Sequence, residues 1–391
     1  MNLNCTWAYN DLFIGTRNNV AQCCMQGAGW PAPNWLEIDD LNDWYSNFMP
    51  FNDVREQHKN NIQNDVCKRC WKYENNNMPS PRTRSNLHRI RMDGKVLDIP
   101  QVKNIEMRFS NKCNLRCRMC DANSSNQIEN LVKELRAKGI ENNTYVDDPI
   151  TYNEFKNIEK LLDLIVNCPT IEKIELAGGE PFIMPEVEWL LEELVKKNKT
   201  DLEIKFITNV TSAKPRMIEL LKKFRRAHID CSIDGVGKSI EYQRYPVKWK
   251  TIESNLKTLY DNKGETITFS FCPCIGQLNL LDFPDLIDFA RDNYPDFRWG
   301  FNLISTPSYL DFRLIPLSYR KELFKRTKNL DISFMSRYMQ KTYRNFFEKT
   351  IYEYREITEK ERKELQDAVY FWDYKSKVKA RDQFPWIEEI L

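Results

Sequence analysis

Three cysteines lie close together in the chain, Cys113, Cys117 and Cys120, with the spacing C-x3-C-x2-C. This spacing places three soft thiolate ligands in one short loop, a donor set that suits an iron–sulfur cluster. A four-iron cubane held by three thiolates leaves one iron open to a ligand other than cysteine. A structural zinc site is the alternative, but such sites usually pair two C-x2-C arms, and no second arm follows this loop closely.

A second group of cysteines lies in the first 70 residues of the chain. Cys67 and Cys70 form a C-x2-C pair, and Cys5, Cys23 and Cys24 precede it. The chain has 12 cysteines but only 3 histidines, so any metal site would rest mainly on sulfur and oxygen ligands. The amino terminus has no basic start followed by an apolar stretch, and without an export signal clustered cysteines favour metal or redox chemistry over disulfides. The pair by itself fits a zinc arm or a redox pair.

The elements that must position these cysteines alternate between strand and helix from about residue 100 onward. The predicted strands are Ile105–Phe109, Ile171–Ala177, Leu202–Thr208, His228–Ile233, Thr266–Cys272 and Phe297–Ile304. This alternation predicts parallel βα units, and six units are fewer than the eight of a closed barrel. We therefore expect an α/β fold, a partial (βα)6 TIM-like barrel, with its chemistry in the loops at the carboxyl ends of the strands.

Two further regions flank this barrel. We expect residues 1–94 to form a small, irregular, Cys-rich domain with one amphipathic helix over Leu41–Arg55. Residues 95–310 form the predicted barrel domain, and residues 311–391, whose pattern is mostly helical, form a helical C-terminal extension.

Polar and glycine motifs follow three of the predicted strands. They are Gly178-Gly179-Glu180-Pro181, Thr208-Asn209 and Ser232-Ile233-Asp234-Gly235, with Arg244 shortly after the last. Glycine lets the backbone approach a ligand, a carboxylate accepts from an ammonium group, and the forked donors of arginine suit a carboxylate. Each motif alone also fits a tight turn, a polar strand end or a surface arginine.

The order of these motifs resembles that of the radical S-adenosylmethionine superfamily over about residues 100–310. The cysteine loop after the first strand carries the resemblance, and the Gly-Gly-Glu motif some 60 residues later supports it. In that family the open iron of a 4Fe-4S cluster binds the amino and carboxylate groups of S-adenosylmethionine. One electron from the cluster cleaves the sulfonium, and the resulting 5′-deoxyadenosyl radical removes a hydrogen atom from the substrate.

The resemblance implies a role for each motif. The metal ligands that it implies for the radical cluster are Cys113, Cys117 and Cys120. The cofactor-binding residues that it implies are Gly178, Gly179, Glu180, Thr208, Asn209, Ser232, Asp234, Arg244 and Met119. Glu180 would accept from the ammonium group of the cofactor, and Ser232 and Arg244 would hold its carboxylate. Met119 stands where many relatives have an aromatic residue, and an apolar Met can still cover adenine.

The amino-terminal cysteines resemble the auxiliary-cluster "twitch" half of SPASM-type radical enzymes, carried in front of the barrel as in a subset of relatives. The resemblance implies a second 4Fe-4S cluster, whose ligands would be Cys5, Cys67, Cys70 and one of Cys23 or Cys24. Glu74 and Arg82 or Arg84 also resemble that subset. A zinc ion held by four thiolates stays the alternative. A closed cluster would accept an electron from a substrate radical, relay one inward, or only hold the domain together.

The composition limits the partners. Lys+Arg total 58 and Asp+Glu total 56, a formal charge of +2, which argues against a nucleic-acid coat or a polybasic membrane anchor. No apolar run approaches the roughly 20 residues of a membrane helix. We expect a cytoplasmic protein that receives electrons from a one-electron reductant such as flavodoxin or ferredoxin. The basic cluster Lys222, Lys223, Arg225 and Arg226 is a solvated helix end or a surface that receives such an acidic reductant.

The substrate is the least constrained part of the hypothesis. The resemblance favours modification of a peptide or protein side chain. The alternatives are a dehydrogenase or mutase of a small polar metabolite such as an amino sugar, a non-catalytic zinc-stabilised binding protein, and electron carriage through two clusters alone. Cys272 and Cys274 flank Pro273 at the end of the fifth strand. Either cysteine would donate a hydrogen atom to a substrate radical or pack as a small buried hydrophobe.

Overall fold

A computed structural model describes residues 3–16, 20–26, 38–75, 80–96, 98–139, 158–304, 306–374, 376 and 378–391. The strands are β1 Asp11–Ile14, β2 Val20–Ala21, β3 Asn104–Arg108, β4 Lys173–Ala177, β5 Glu203–Thr208, β6 Arg226–Cys231, β7 Ile267–Phe271, β8 Cys274–Ile275, β9 Arg298–Trp299 and β10 Asn302–Leu303.

Helices precede, separate and follow these strands. They are α1 Thr6–Asn10, α2 Leu41–Asn47, α3 Met49–Lys59, α4 Lys68–Asn75, α5 Pro81–Asp93, α6 Asn126–Ala137, α7 Ile158–Asn167, α8 Pro185–Lys196, α9 Pro215–Leu221, α10 Gly237–Gln243, α11 Trp249–Asp261, α12 Phe283–Asn293, α13 Leu317–Lys328, α14 Arg337–Tyr352, α15 Glu359–Tyr374, α16 Ala380–Gln383 and α17 Ile387–Ile390. Within the described part of the chain, no helix is both long enough and apolar enough to cross a membrane.

Eight strands form one sheet in the order β2-β1-β3-β4-β5-β6-β7-β9, and β8 and β10 form a second sheet of two strands. Strand β1 is antiparallel to β2 and parallel to β3. The pairs β3–β4, β4–β5 and β7–β9 are parallel. The predicted α/β class is confirmed, and the strands β3 to β7 with β9 are consistent with the predicted partial (βα)6 barrel.

The amino-terminal region is more regular than the sequence analysis predicted. It contains helices α1 to α5, and β1 pairs with β3 by placing Leu12 opposite Ile105. The single helix predicted over Leu41–Arg55 is wrong, because the chain forms two helices there. Phe48 between them is extended, and Pro50 stands in the first turn of α3, where its missing N–H is tolerated. Pairing of β1 with β3 crosses the predicted domain boundary, which stays a prediction.

The sixth predicted strand, Phe297–Ile304, is also divided, into β9 and β10. Its neighbour is interrupted at the same level, since Cys272 and Pro273 separate β7 from β8, and proline has no N–H to donate to a ladder. Gly300 lies at the break, where an added Cβ would approach the Sγ of Cys272 to 3.3 Å. The other five predicted strands agree with the structure to within 2 residues at each end.

Contacts between Cα atoms divide the chain into two compact units. Unit 1 comprises Met1–Ser110, Thr151–Phe206 and Glu219–Ala227, and unit 2 comprises Asn111–Ile150, Ile207–Ile218 and His228–Leu391. The helices at the carboxyl end belong to unit 2. Tyr343 of α14 stacks on Phe283 of α12 with ring centroids 5.7 Å apart, and Phe384 meets Tyr242 of α10 at 5.2 Å.

The strands of unit 1 have one apolar and one polar face. Ile105 and Ile174 are buried, whereas Glu106, Glu175 and Lys205 on the other face are half-buried. Parallel strands covered on both faces are usually apolar throughout. Here the polar face carries paired charges, with Lys205 Nζ 3.2 Å from Glu175 Oε1, and it lines a cavity.

Candidate active site

The three cysteines of the C-x3-C-x2-C loop lie in unit 2. Cys113 is buried, Cys117 and Cys120 are half-buried, and all three are thiols without a disulfide. Burial raises the pKa of Cys117 and of Cys120, and the other thiols of the loop raise that of Cys120 further. Such thiols lose their protons readily only when a cation binds them. The loop is therefore suited to a metal centre, which its cysteines would bind as thiolates.

Two helices hold this loop. The backbone N–H of Cys113 donates to Oδ1 of Asn126, the first residue of α6, at 3.0 Å. The backbone N–H of Arg118 donates to the carbonyl of Gln243, the last residue of α10, at 2.8 Å. Met119 between the second and third cysteines is half-buried. The loop is therefore held on both sides before any ligand binds.

Two side chains direct N–H groups at the cysteine sulfurs. Asn209 follows β5, and its Nδ2 lies 3.8 Å from the Sγ of Cys113. Nη1 of Arg244 lies 3.9 Å from the Sγ of Cys117. Donors at this distance stabilise negative charge on sulfur. The buried Thr208, which precedes Asn209, accepts the backbone N–H of Val210 with its Oγ1 at 3.1 Å and so shapes the turn.

Arg244 is held by a buried carboxylate. Its Nε donates to Oδ2 of Asp234 at 2.6 Å, and the side chains are 8% and 0% exposed. Burial acts to lower the pKa of Arg244, but Asp234 and Cys117 raise it above its usual value. Ser232, two residues before the aspartate, is half-buried, and its backbone N–H donates to the carbonyl of Thr208 at 2.8 Å. Unit 2 thus brings the motifs that follow the third and fourth predicted strands to the cysteine loop.

The two cysteines at the end of the fifth predicted strand have different surroundings. The backbone N–H of Cys274 donates to Oδ1 of Asp234 at 2.8 Å. Burial, followed by the charge of Asp234, raises the pKa of the Cys274 thiol to about 12, whereas Arg244 opposes that rise. Cys272 instead lies near Tyr343, whose pKa rises through burial and the neighbouring thiol. Of the two, Cys274 is the one near the candidate site.

The Gly-Gly-Glu motif lies in unit 1, directly after β4. Gly178 has a φ of +74°, and a Cβ there would meet the Cβ of Arg108 at 2.8 Å, so the position requires glycine. Gly179 also has a positive φ, +53°. Glu180 is fully buried, and its side chain accepts the backbone N–H of Phe182 at 3.0 Å. One part of the role of Glu180 is therefore to cap this turn.

A second thiol group lies in unit 1. Cys5 and Cys70 are buried, and Cys23 and Cys67 are half-buried. Burial, followed by the neighbouring Cys70, raises the pKa of Cys5 to about 12, against opposing hydrogen bonds from the backbone. Burial raises the pKa of Cys23, and Cys5 and Cys67 are among the neighbouring thiols that raise it further. Cys24 has the largest such effect on Cys23, and Cys5 and Cys67 follow it, so Cys23 lies near two of the three other thiols.

Cys24 has another environment. After burial, the strongest influences on the pKa of Cys24 are Glu106, to which the thiol is hydrogen-bonded, and Arg108. Both belong to β3. A cavity of about 270 Å³ opens here, lined among others by Cys23, Cys24 and Glu106. Cys23 and Cys24, which the sequence analysis left as alternatives, thus have different surroundings.

A buried ion pair lies beside the second thiol group. Nη2 of Arg82 is 2.5 Å from Oε2 of Glu74, and the two side chains are 4% and 8% exposed. The positive charge of Arg82 opposes the rise in pKa that burial causes in Cys5 and Cys67. Of the two arginines that the sequence analysis considered, Arg82 is at the site, whereas Arg84 is exposed.

Sequence reasoning missed His58. This histidine is 1% exposed, its Nε2 lies 3.6 Å from the Sγ of Cys67, and its Nδ1 has no hydrogen-bond partner among the described residues. Burial lowers the pKa of His58 to about 4. The chain has only 3 histidines, and one of them lies on a helix just before a C-x2-C pair, which is the signal that could have pointed to it.

The donor sets fit iron–sulfur ligation. Unit 2 offers three thiols of one loop with two N–H donors beside them, and unit 1 offers four thiols beside a buried arginine. As they stand, no three or more His, Cys, Asp or Glu side chains of the described residues form a group that would hold a metal ion.

The buried pair of Arg244 and Asp234 gives a first prediction. We expect Arg244→Met to lower the free energy of unfolding by about 3–5 kcal/mol, because the buried carboxylate of Asp234 would lose its cationic partner. The double variant Arg244→Met/Asp234→Asn should recover much of that loss, since neither charge is then left alone. Urea unfolding of the three proteins measures both effects. A single variant as stable as the wild type would contradict the buried pair.

Comparison with known proteins agrees with this interpretation of the loop. Residues 107–290 match the family described as the Radical SAM superfamily. The radical SAM cyclopropyl synthase TigE of Paramaledivibacter caminithermalis is 26% identical over 232 residues, which cover 58% of this chain and 47% of TigE. The chain spans about half the length of the curated relatives that it matches, 47% and 58%.

Two solved structures align with part of the chain. Streptococcus suis SuiB bound to the precursor peptide SuiA aligns with a TM-score of 0.40 and 13% identity, over 74% of this chain and 58% of SuiB. Native anSMEcpe with bound AdoMet aligns with a TM-score of 0.40 and 15% identity, over 57% of this chain and 59% of that protein. Residues 107–290, which contain the cysteine loop and the strand-end motifs, are therefore identified as a radical S-adenosylmethionine domain.

Proposed function

We propose that this chain is an enzyme that cleaves S-adenosylmethionine reductively at a 4Fe-4S cluster held by Cys113, Cys117 and Cys120. When bound, the cluster and S-adenosylmethionine would supply a 5′-deoxyadenosyl radical that removes a hydrogen atom from the substrate. The observation that carries the proposal is the position of Asn209 and Arg244, whose N–H groups point at two of the three cysteine sulfurs.

The residues around the loop would bind and orient the cofactor. Ser232 and Arg244 would hold its carboxylate, and Asp234 fixes the guanidinium through the 2.6 Å hydrogen bond. Glu180 would accept from its ammonium group, and Met119 would cover the adenine. Burial of these polar groups lowers the local dielectric, which strengthens each hydrogen bond and excludes water from a reactive species.

We further propose a second 4Fe-4S cluster, with Cys5, Cys23, Cys67 and Cys70 as its four ligands. The support is that Cys5 and Cys67 pack at one apolar cluster, that Cys70 raises the pKa of both, and that both raise the pKa of Cys23. A cluster with four cysteine ligands has no open iron, so its role is to exchange electrons rather than to bind the cofactor. The buried Arg82 would offset part of its negative charge. A four-thiolate zinc site is the alternative, and metal analysis separates the two.

We propose a peptide or protein side chain as the substrate. The cavity of about 270 Å³ beside the second thiol group has room for one side chain or a small molecule. Its lining includes Glu106, Glu175 and Lys205, and these charges favour a polar group over an apolar one. The same two observations support the second candidate, the oxidation or rearrangement of a small polar metabolite such as an amino sugar. The enzyme would act in the cytoplasm with a one-electron reductant.

Anaerobic preparation followed by reduction tests the proposed function. We expect about eight irons and eight sulfides per chain, with no zinc, and the release of 5′-deoxyadenosine and methionine in equal amounts after dithionite and S-adenosylmethionine are added. Zinc in place of iron after reconstitution, or no cleavage of S-adenosylmethionine by the iron-loaded protein, would contradict it.

Glu180→Gln gives a second prediction. The amide oxygen can still accept the N–H of Phe182, so the turn is kept, but the negative charge that would face the cofactor ammonium is lost. We expect the affinity for S-adenosylmethionine to fall about tenfold or more, as a charge-assisted hydrogen bond implies, while the iron content stays the same. Equilibrium binding and iron analysis of the same sample measure both. Loss of iron with unchanged affinity would make Glu180 a structural residue only.

A further inference from the structure

A basic cleft of about 640 Å³ lies in unit 1, and it shares Trp7, Asn104 and Lys173 with the lining of the cavity at the polar face. It is bordered by α5 and by the first residues of strands β3 to β6, so it opens at the amino ends of the strands. Its positively charged or titratable lining residues are Arg84, His88, Arg89, Lys173, Arg225 and Arg226. Its acidic lining residues are Glu172 and Glu203.

Among the described residues, Lys173 pairs with Glu175 at 3.6 Å and Arg89 pairs with Glu172, whereas Arg84, Arg225 and Arg226 pair with no carboxylate. Glu172 lies 2.5 Å from Lys103 and 3.8 Å from Arg89, so its charge is already shared between two cations. Arg225 is exposed, and among the described residues its guanidinium group makes only a long hydrogen bond, 3.5 Å, to a backbone carbonyl. The cleft therefore presents unpaired guanidinium groups to solvent.

One wall of the cleft leads to the second thiol group. Trp7 lines the cleft, and it also packs against the apolar cluster that contains Cys5 and Val54, with Cys67 packed against the same cluster. The indole is half-buried. Trp7 therefore connects the cleft with the apolar cluster at which two of the proposed cluster ligands pack.

We propose that this cleft docks an acidic one-electron carrier protein, which exchanges electrons with the centre held by Cys5, Cys23, Cys67 and Cys70. The electron-transfer step rests on the proposed function of those cysteines, whereas the docking does not. Arginine forks suit carboxylate-rich surfaces, and complementary charge raises the rate of encounter. In each turnover one electron leaves the reduced centre and reduces the oxidised carrier, with no bond made or broken.

Only part of the basic cluster at residues 222–226 lies at the cleft. Arg225 and Arg226 line it, whereas Lys222 and Lys223 are not among its lining residues. Lys222 pairs with Glu219 at 2.6 Å, three residues before it. Helix α5 supplies most of the remaining cations, which follow the C-x2-C pair in the sequence. The docking surface is therefore built by distant segments of the chain.

Binding of oxidised flavodoxin tests the docking surface. We expect the variant Arg84→Glu/Arg225→Glu to weaken flavodoxin binding about tenfold or more at low salt, because rim charges steer association. The matched control is Lys321→Glu/Lys328→Glu on α13, where both lysines are exposed and outside the cleft, and it should bind as the wild type does. Isothermal titration calorimetry measures both. If the glutamate variant misfolds, Arg84→Gln/Arg225→Gln replaces it, with a smaller expected loss.

Electron transfer is then followed separately. Protein reduced with dithionite and desalted is mixed with oxidised flavodoxin, and flavodoxin reduction is recorded by stopped-flow absorbance. We expect transfer to persist in Cys113→Ala/Cys117→Ala/Cys120→Ala, to slow in Arg84→Glu/Arg225→Glu, and to vanish in Cys67→Ala/Cys70→Ala.

Two results would overturn the proposal. One is flavodoxin binding by Arg84→Glu/Arg225→Glu with wild-type affinity. The other is a poly-glutamate peptide that binds the cleft without competing with flavodoxin, which would assign the cleft to an acidic peptide instead. A protein that lacks the second cluster would lose electron transfer to flavodoxin but keep flavodoxin binding. Failure of the proposed function can therefore be distinguished from failure of the proposed docking.

Discussion

Cys113→Ala/Cys117→Ala/Cys120→Ala is expected to form no 5′-deoxyadenosine and to contain about four irons per chain, where the wild type contains about eight. The open iron exists only in the cluster held by three thiolates, so its loss removes the site of cofactor cleavage. Because the loop lies in unit 2 and the second thiol group in unit 1, the second cluster should survive. Anaerobic iron and sulfide analysis and chromatography of the reaction products measure the two effects.

The control for this triple variant is Cys168→Ala. Cys168 is buried, contacts the hydroxyl of Thr170 at 3.3 Å, and belongs to neither thiol group. It should keep about eight irons and the full rate of cleavage. Cleavage of S-adenosylmethionine by the triple variant would remove the basis of the proposed mechanism. A fall to no iron at all would show instead that the four amino-terminal thiols do not hold a cluster on their own.

The second large effect is expected from one of two adjacent cysteines. Cys23→Ala should lower the iron content from about eight to about four per chain, whereas Cys24→Ala should leave it near eight. The reason is the environment of each thiol. Cys5 and Cys67 raise the pKa of Cys23, whereas Cys24 is hydrogen-bonded to Glu106. The two variants remove the same group from neighbouring positions, so each is the control for the other.

Iron analysis and electron paramagnetic resonance of the reduced proteins distinguish the variants. In Cys23→Ala we expect only the signal of the radical cluster, which still changes when S-adenosylmethionine is added. In Cys24→Ala we expect both signals. The reverse pattern would make Cys24 the ligand and would require the turn after β2 to rearrange on cluster binding. Unchanged iron in both variants would favour a three-cysteine centre, with His58 the nearest alternative donor because its Nε2 is 3.6 Å from Cys67.

Much of the fold could be predicted from local patterns. Alternation of strands and helices indicated five of six barrel strands, because a strand that is buried on one side carries an apolar residue at every second position. The prediction of a continuous sixth strand was wrong, because the break between β9 and β10 depends on the partner strand, which is interrupted at Pro273. The prediction of one helix from Leu41 onward was wrong for a related reason. The apolar spacing continues across Phe48, and the turn there depends on how the two helices pack.

The candidate site was predictable for a topological reason. The carboxyl ends of parallel strands meet at one edge, so motifs far apart in the sequence were expected to lie together. In unit 2 the loop cysteines, Asn209, Asp234 and Arg244 do lie together. The hydrogen bond between Arg244 and Asp234 could not be predicted from the sequence. The resemblance implies a cofactor-binding role for both residues, and nothing in their spacing indicates that they pair.

Local sequence patterns predict the candidate chemistry, because cysteine spacing, glycine at a tight turn and polar side chains after a strand are all visible in the order of residues. The choice between near neighbours depends on the folded chain. Cys23 and Cys24 are adjacent, and consecutive side chains point in different directions. Arg82 and Arg84 are two apart on one helix, about 200° around its axis, so one is buried and the other exposed. Which of two neighbours faces a site depends on register and packing, and these are properties of the folded chain rather than of its local sequence.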